Sequence, residues 1–122
     1  MVFKGSLLFS LDNSGANIVK VIQIYHDSTL SKGFLGTKFK VTLYRRRKKL
    51  KRVLVKRTFY FATCLFQKKE VQRLNGHFLK STKNYVALSS LNNNFLASRL
   101  YGPLTVEVKN IFGLAALGKR FV

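Results

Sequence analysis

The sequence is short of acidic residues, of cysteine and of long apolar runs. Four acids stand against 23 lysines and arginines, which gives a formal net charge of +19 over 122 residues. The single cysteine, Cys64, excludes an intrachain disulfide and therefore a disulfide-built secreted scaffold. No apolar run approaches the roughly 18 residues of a membrane-spanning helix, and residues 1–10 carry one charge, Lys4, too little for a targeting peptide.

The scarcity of acids limits the chemistry of the chain. Catalysis needs converging groups with tunable pKa values, and the four acids are widely separated along the sequence. Neither His26 nor His77 has a cysteine or carboxylate at metal-ligand spacing, apart from Asp27, which a strand would turn to the face opposite His26. We therefore expect no enzyme activity, no metal and no cofactor, and we expect both histidines at the surface or facing RNA.

The positive charge predicts a polyanionic partner. A solitary soluble domain does well with a net charge of roughly 2 to 8 in magnitude. A charge of +19 repels itself when the chain is compact, so nucleic acid or an anionic membrane surface must lie alongside. A membrane-surface protein would need an amphipathic helix beside its basic run, and the pattern there is that of a hairpin. Nucleic acid is therefore the favoured partner, and no membrane is expected.

The periodicity is mostly that of β-strands. Residues 38–44 alternate, with Phe39, Val41 and Leu43 on one face and polar residues on the other. Residues 58–66 are apolar on both faces and predict a central strand, with Cys64 as a small buried hydrophobe. The length fits one domain. We predict a mainly β fold over residues 1–122, a small antiparallel β-barrel with turn-rich connections. Its further predicted elements are strands at 18–25, 85–88 and 104–108 and a short helical segment at about 110–118.

The densest charge lies between two predicted strands. Seven of the eight residues in 45–52 are Lys or Arg, two more cations follow, and no acid is present to pair with them. A solvated face is the alternative interpretation. We predict a basic β-ribbon at about 44–58 that projects from the barrel and contacts RNA phosphates. The contacting residues would be Arg45, Arg46, Arg47, Lys48, Lys49, Lys51, Arg52, Lys56 and Arg57.

Two smaller basic clusters extend this predicted surface or are surface residues that touch nothing. One consists of Lys68, Lys69 and Arg73, and the other of Lys80 and Lys83.

A free-standing RNA- or DNA-binding barrel is a further alternative. Stacking aromatic residues on an open sheet face would favour it, and residues 59–61 are candidates for that role. The unbroken apolar run of Phe59, Tyr60 and Phe61 predicts burial instead.

Four stretches, taken in order and spacing, resemble the universal large-subunit ribosomal protein fourteen family over nearly the whole chain. They are the turn Leu11-Asp12-Asn13-Ser14-Gly15-Ala16; Ala62 followed at the family's spacing by Asn75-Gly76 and Asn84; the segment Ser98-Arg99-Leu100-Tyr101-Gly102-Pro103; and the closing stretch 111–116. The chain departs from the family where Lys and Arg replace a Gly-Asp pair inside the basic hairpin.

The resemblance implies a small β-barrel with a projecting ribbon and short C-terminal helices. It implies binding of large-subunit ribosomal RNA, an intersubunit bridge to small-subunit RNA, contacts with neighbouring ribosomal proteins and, in organelles, docking of a ribosome-silencing factor. It carries over Arg99 as an RNA-binding residue and Asp12, Asn13, Ser14, Gly15 and Ala16 as the family turn. The sequence departures and a residue usage typical of AT-rich codons predict a divergent organellar member, in a mitochondrion rather than a plastid.

Overall fold

The computed structural model describes residues 2–25, 35–46, 58–73, 76–90, 92, 94–96, 100–108, 117–118 and 120–121. Within them lie strands β1 (Leu7–Ser10), β2 (Ala16–Tyr25), β3 (Lys38–Arg46), β4 (Phe59–Phe66), β5 (Val71–Gln72), β6 (Phe78–Leu79) and β7 (Tyr85–Ser89), and a 3₁₀ helix, Val106–Val108. The predicted strands at 18–25, 38–44, 58–66 and 85–88 are thereby confirmed, whereas β1, β5 and β6 were not predicted.

Five strands close into a barrel in the order β1, β2, β3, β4 and β7. Neighbouring strands run antiparallel except β1 and β7, whose parallel pairing closes the barrel. The predicted small β-barrel is confirmed. Closure pairs the backbone groups that an open sheet would leave at its edges. Strands β5 and β6 form a separate antiparallel hairpin between β4 and β7.

The barrel interior holds the main hydrophobic core. Side chains of a strand alternate between its two faces, and the inward set is aliphatic with one large ring, Phe39. The predicted inward face of β3 is confirmed, because Phe39, Val41 and Leu43 are all buried. The other strands contribute Leu8, Val19, Val21, Ala62, Cys64, Val86 and Leu88.

A second apolar cluster lies on the outside of the barrel. Leu65 of β4 and Ala87 of β7 point outward and are buried beneath Leu104 and Val108 of the C-terminal region. Leu117 and Phe121 pack against the same cluster. The later part of the described chain therefore covers one portion of the outer sheet surface.

The prediction of a strand at 104–108 is wrong. Val106–Val108 is a 3₁₀ helix, in which the Val108 N–H donates to the carbonyl of Thr105. The barrel is already closed, so the segment has no strand edge to extend and packs flat on the outer sheet surface. Leu104 and Val108 are buried there while Val106 is 54 % exposed, which breaks the alternation that the sequence pattern suggested. Of the predicted helix at 110–118, only 117–118 are among the described residues.

Candidate RNA interface

Strand β3 extends beyond its pairing with β4 at the start of the predicted basic ribbon. The β3–β4 register ends at Thr42 opposite Phe59, whereas β3 continues to Arg46 and pairs there with β2. Arg45 and Arg46 are both exposed at this end of the barrel. The remaining predicted ribbon cations lie outside the described residues, so their placement stays a prediction: Arg47, Lys48, Lys49, Lys51, Arg52, Lys56 and Arg57.

Two hydrogen bonds bring the two smaller basic clusters together, and in one of them the Ser81 N–H donates to the carbonyl of Gln67 over 3.0 Å. The Lys68 backbone N–H donates to Oδ1 of Asn84, over 2.8 Å, so the turn after β4 lies against the segment that leads into β7. Lys68, Lys69, Lys80 and Lys83 are exposed, and Arg73 is half-buried at the end of β5. The exposed Glu70 is the one acid among residues 67–84. Because these residues include four exposed lysines and only one acid, the surface that they form carries a net positive charge.

An aromatic and cationic surface on the outside of the barrel was not predicted. The ammonium of Lys38 lies 4.2 Å from the ring centroid of Phe61, and that of Lys40 lies 4.5 Å from the ring centroid of Phe59. Tyr25 meets Phe61 edge-on, with ring centroids 5.6 Å apart. These distances are those of cation–π and T-shaped aromatic pairs. We call these outward side chains of β2, β3 and β4 the aromatic face: Ile22, Tyr25, Lys38, Lys40, Tyr44, Phe59 and Phe61.

The strand register produces the aromatic face. Lys40 stands opposite Phe61 and Thr42 opposite Phe59, so each lysine reaches a ring diagonally across the β3–β4 pair. The prediction that residues 59–61 are buried as a run is wrong for Phe59, which is 44 % exposed, and Phe61 is half-buried. Tyr60 alone packs against the core. The two-residue period of a strand was the signal that could have separated Tyr60 from its neighbours.

The family turn at 12–16 is structural and lies inside the protein. Asp12 is fully buried, and its Oδ2 accepts a hydrogen bond of 2.8 Å from the backbone N–H of Leu88 in β7. Its Oδ1 accepts hydrogen bonds from the hydroxyls of Ser10 and Ser14. Gly15 has φ = 101°, a conformation that glycine adopts without strain. The carboxylate therefore ties the end of β1 to the middle of β7.

The turn also anchors the C-terminal region. Asp12 forms an isolated antiparallel bridge with Leu100, and the Tyr101 N–H donates to the carbonyl of Leu11. Arg99, which the resemblance gives as an RNA-binding residue, lies outside the described residues and stays a prediction. The resemblance thus singled out two stretches whose described residues, 11–16 and 100–103, contact each other through these bonds.

The groups that could support chemistry are few among the described residues. Burial raises the pKa of the Cys64 thiol to about 12, so the thiol is protonated and unreactive at neutral pH. His77 is exposed, and His26 lies outside the described residues. Across the described part of the chain, no three His, Cys, Asp or Glu side chains are grouped as a metal site would require. The same part of the chain contains no helix with the length and apolarity to cross a membrane.

Comparison with known proteins gives one consistent result. The family profile described as ribosomal protein L14p/L23e matches residues 1–117. The large ribosomal subunit protein uL14 of Haloarcula marismortui is 29 % identical over 117 residues, which cover 93 % of this chain and 85 % of that protein. The uL14 of Petrotoga mobilis is 30 % identical over 112 residues, covering 89 % of each chain. That of Carsonella ruddii is 27 % identical over 110 residues, covering 90 % and 88 % respectively.

Proposed function

Because the chain belongs to the family of ribosomal protein L14p/L23e, we propose that it is a structural constituent of the large ribosomal subunit that binds ribosomal RNA. The family is one of structural ribosomal proteins and not of enzymes. The observation that carries the RNA-binding part is the basic end of β3. There Arg45 and Arg46 are exposed and lead directly into a sequence with seven further cations up to residue 57.

The mechanism is electrostatic and steric. Lys and Arg neutralise RNA phosphates and release the counterions condensed on them, which gives affinity and position but little base specificity. A closed barrel provides a rigid body from which such cations project, and the buried Asp12 carboxylate fixes one end of that body. The protein then holds RNA segments at fixed positions relative to one another, without a chemical step.

The finer parts of the role follow from the family resemblance. They are a position on the face that meets the small subunit, a bridge to small-subunit RNA, contacts with neighbouring ribosomal proteins and docking of a ribosome-silencing factor. The RNA-binding residues outside the described part, including Arg99, belong to the same proposal. We place the ribosome in a mitochondrion because of the sequence departures and the AT-leaning composition, although the relatives named above are bacterial and archaeal.

Sedimentation of an organelle lysate on sucrose gradients at low and moderate salt tests this proposal. We expect the protein to migrate with large subunits and whole ribosomes of the mitochondrial fraction, and to stay with them in moderate salt. Migration at the top of the gradient would contradict the ribosomal role. Migration with plastid or cytosolic ribosomes would contradict the mitochondrial location alone.

A charge-matched pair of variants tests the basic end of β3. Arg45→Gln with Arg46→Gln removes two exposed ribbon cations, and Lys4→Gln with Arg120→Gln removes two exposed cations elsewhere. In filter binding to purified large-subunit RNA, losing two phosphate contacts should lower the slope of log affinity against log salt by about 1.4 to 1.8. The control pair should leave the slope unchanged. Equal changes in both pairs would indicate diffuse attraction and no defined ribbon contact.

The free-standing RNA-binding barrel remains a second candidate because Phe59 is exposed beside lysines. It predicts RNA binding by the purified chain together with migration at the top of the gradient.

A further inference from the structure

We propose that the aromatic face binds unpaired RNA bases, with Phe59 and Phe61 as the stacking rings and Lys38 and Lys40 as the phosphate contacts. The inference rests on the proposed RNA-binding function and names the kind of RNA segment that this second surface takes. It concerns a part of the molecule distinct from the basic ribbon, on the strand bodies and not at their ends.

The aromatic face combines exposed rings with lysines. Phe59, Tyr25 and Tyr44 are among the exposed large hydrophobic residues of the protein, and the half-buried Phe61 contacts Tyr25 and Lys38. None of the described residues on this face is acidic. Rings interleaved with cations match the two halves of a nucleotide, a flat apolar base and a charged phosphate.

The ammonium groups of Lys38 and Lys40 occupy the ring faces on which a base would stack. Each ammonium now lies over a ring, 4.2 Å from the centroid of Phe61 or 4.5 Å from that of Phe59. Both lysines are half-buried, and a cation–π contact that water still reaches is weaker than the stacking of a base on an aromatic ring. A base that stacks on Phe59 or Phe61 therefore displaces the ammonium, which moves on its flexible stem to the phosphate of the same strand.

The aromatic face suits single-stranded RNA better than duplex RNA or protein. Duplex RNA keeps its bases stacked on each other and presents phosphates and 2′-hydroxyls, so exposed rings gain nothing from it. Protein interfaces are depleted in lysine at their centres, whereas Lys38 and Lys40 lie at the centre of this face. An unpaired RNA segment uses both the rings and the cations, and it is the occupant that the face favours.

The test uses the full chain and two fluorescent probes, a single-stranded oligouridine of about 12 nucleotides, which is within the usual site size, and an RNA duplex of the same length. The variant Phe59→Leu with Phe61→Leu removes both rings and keeps apolar side chains of strand-compatible shape. Tyr101→Leu is the matched control. Tyr101 is also an exposed aromatic residue, at 43 %, but it lies outside the aromatic face, where its backbone N–H donates to the carbonyl of Leu11. Thermal unfolding of each variant checks that the fold is kept.

We expect the double variant to lose roughly tenfold or more in affinity for the single-stranded probe and less than twofold for the duplex. The Tyr101→Leu control should bind both probes like the unmodified chain. Unchanged binding of the single-stranded probe by a folded double variant would overturn the inference, and so would an equal loss on both probes. Lys38→Gln with Lys40→Gln should lower the salt slope for the single-stranded probe by about 1.4 and keep the preference for it over the duplex.

Sedimentation separates the two proposals. If the double variant binds the oligouridine normally but no longer migrates with large subunits, the face binds a protein and the inference is overturned. If the variant binds the oligouridine like the unmodified chain and also migrates with large subunits, the inference fails while the ribosomal function stands. If the unmodified chain does not migrate with large subunits but shows the ring-dependent preference, the ribosomal function fails while the inference stands.

Discussion

The two ends of strand β4 differ in how far their outward side chains are buried. Phe59 and Leu65 of β4 both point out of the barrel, yet Phe59 is 44 % exposed and Leu65 is fully buried. Leu104 and Val108 cover the Leu65 end, whereas Phe59 belongs to neither apolar cluster of the described residues. The face on which a residue lies is a local property of the strand, but its burial depends on where a distant segment of the chain passes.

The two ends also differ in what surrounds their outward side chains. At the covered end, Ala87 lies with Leu65 in the second apolar cluster, and Thr105 of the covering segment is buried as well. The uncovered end places Lys38 and Lys40 beside the rings of Phe61 and Phe59. Lysine is almost never fully buried without a partner, so Lys38 and Lys40 mark an outer surface that the described part of the chain leaves at least partly exposed.

The largest expected effect comes from truncating the two outward residues separately. Leu65→Ala should lower the free energy of unfolding by roughly 2–5 kcal/mol, because it leaves a cavity in the covered cluster. Phe59→Ala should change it by less than about 1 kcal/mol, since surface substitutions usually have small effects. Urea denaturation of the two variants measures both. A loss in Phe59→Ala as large as that in Leu65→Ala would abolish the distinction between the two ends.

The next largest effect on the free energy of unfolding is expected for Asp12, which anchors the segment that leads to Leu104 and Val108. Asp12→Asn keeps the shape of the side chain but puts an amide in place of the carboxyl group that accepts bonds from Leu88, Ser10 and Ser14. We expect a loss of roughly 1.5–3 kcal/mol, because the amide nitrogen cannot accept a hydrogen bond and a buried donor is left without its acceptor. Ser14→Ala, which removes one donor, should lose only about 1 kcal/mol. If Asp12→Asn unfolded at the same urea concentration as the unmodified chain, the anchoring role would be excluded.

A smaller effect tests how tightly the cover is packed. A Cβ on Gly118 would lie 2.5 Å from Cδ1 and 3.1 Å from Cγ of the buried Leu104. Gly118→Ala should therefore destabilise the protein by about 1–3 kcal/mol through overpacking. A Cβ on Gly102 would meet Leu11 at 3.4 Å, an ordinary contact distance, so Gly102→Ala is the matched control. Equal stabilities of the two alanine variants would show that Leu104 can move aside.

The smallest expected effect is that of the Cys64 thiol on stability, which changes only at alkaline pH. Cys64 lies on the inner side of β4 next to Leu65, and burial raises the pKa of its thiol from 9.0 to about 12. A thiol whose folded pKa is raised contributes stability that is complete below pH 9 and is lost as the pH rises toward 12. Above pH 9 the unmodified chain should lose stability more steeply than Cys64→Ala. Parallel stability curves for the two proteins would show that the thiol reaches water in the folded state.

Much of the barrel was predictable from sequence because its strands carry their own periodic pattern. Phe39, Val41 and Leu43 alternate with polar residues, and their burial followed from that alternation alone. Strand β1 was missed because four residues are too few to show a period, and its pairing with β7 depends on residues far along the chain. The segment 104–108 alternates like a strand, but a closed barrel left it no edge to join.

The candidate interface was predictable in its charge and not in its shape. The basic run after Tyr44 is visible in the sequence, and Arg45 and Arg46 are exposed as expected. The aromatic face was missed because three consecutive aromatic residues look uniformly apolar. Only the register of β3 against β4 shows that Phe59 and Phe61 share a side with Lys38 and Lys40. The role of Asp12 needed the fold as well, since its partner Leu88 is 76 residues away.

The pairing of the first strand with the last has a consequence for how the protein is made. Strand β1 leaves the translating ribosome early, but its parallel partner β7 follows only after more than half of the chain has been synthesised. Until then the N-terminal strand has one neighbour at most, and its second edge stays open to other chains. Loop-closure entropy makes such long-range pairing slow compared with local structure. Until the barrel closes the nascent chain is therefore open to strand-mediated aggregation, and its high positive charge opposes this through repulsion between copies.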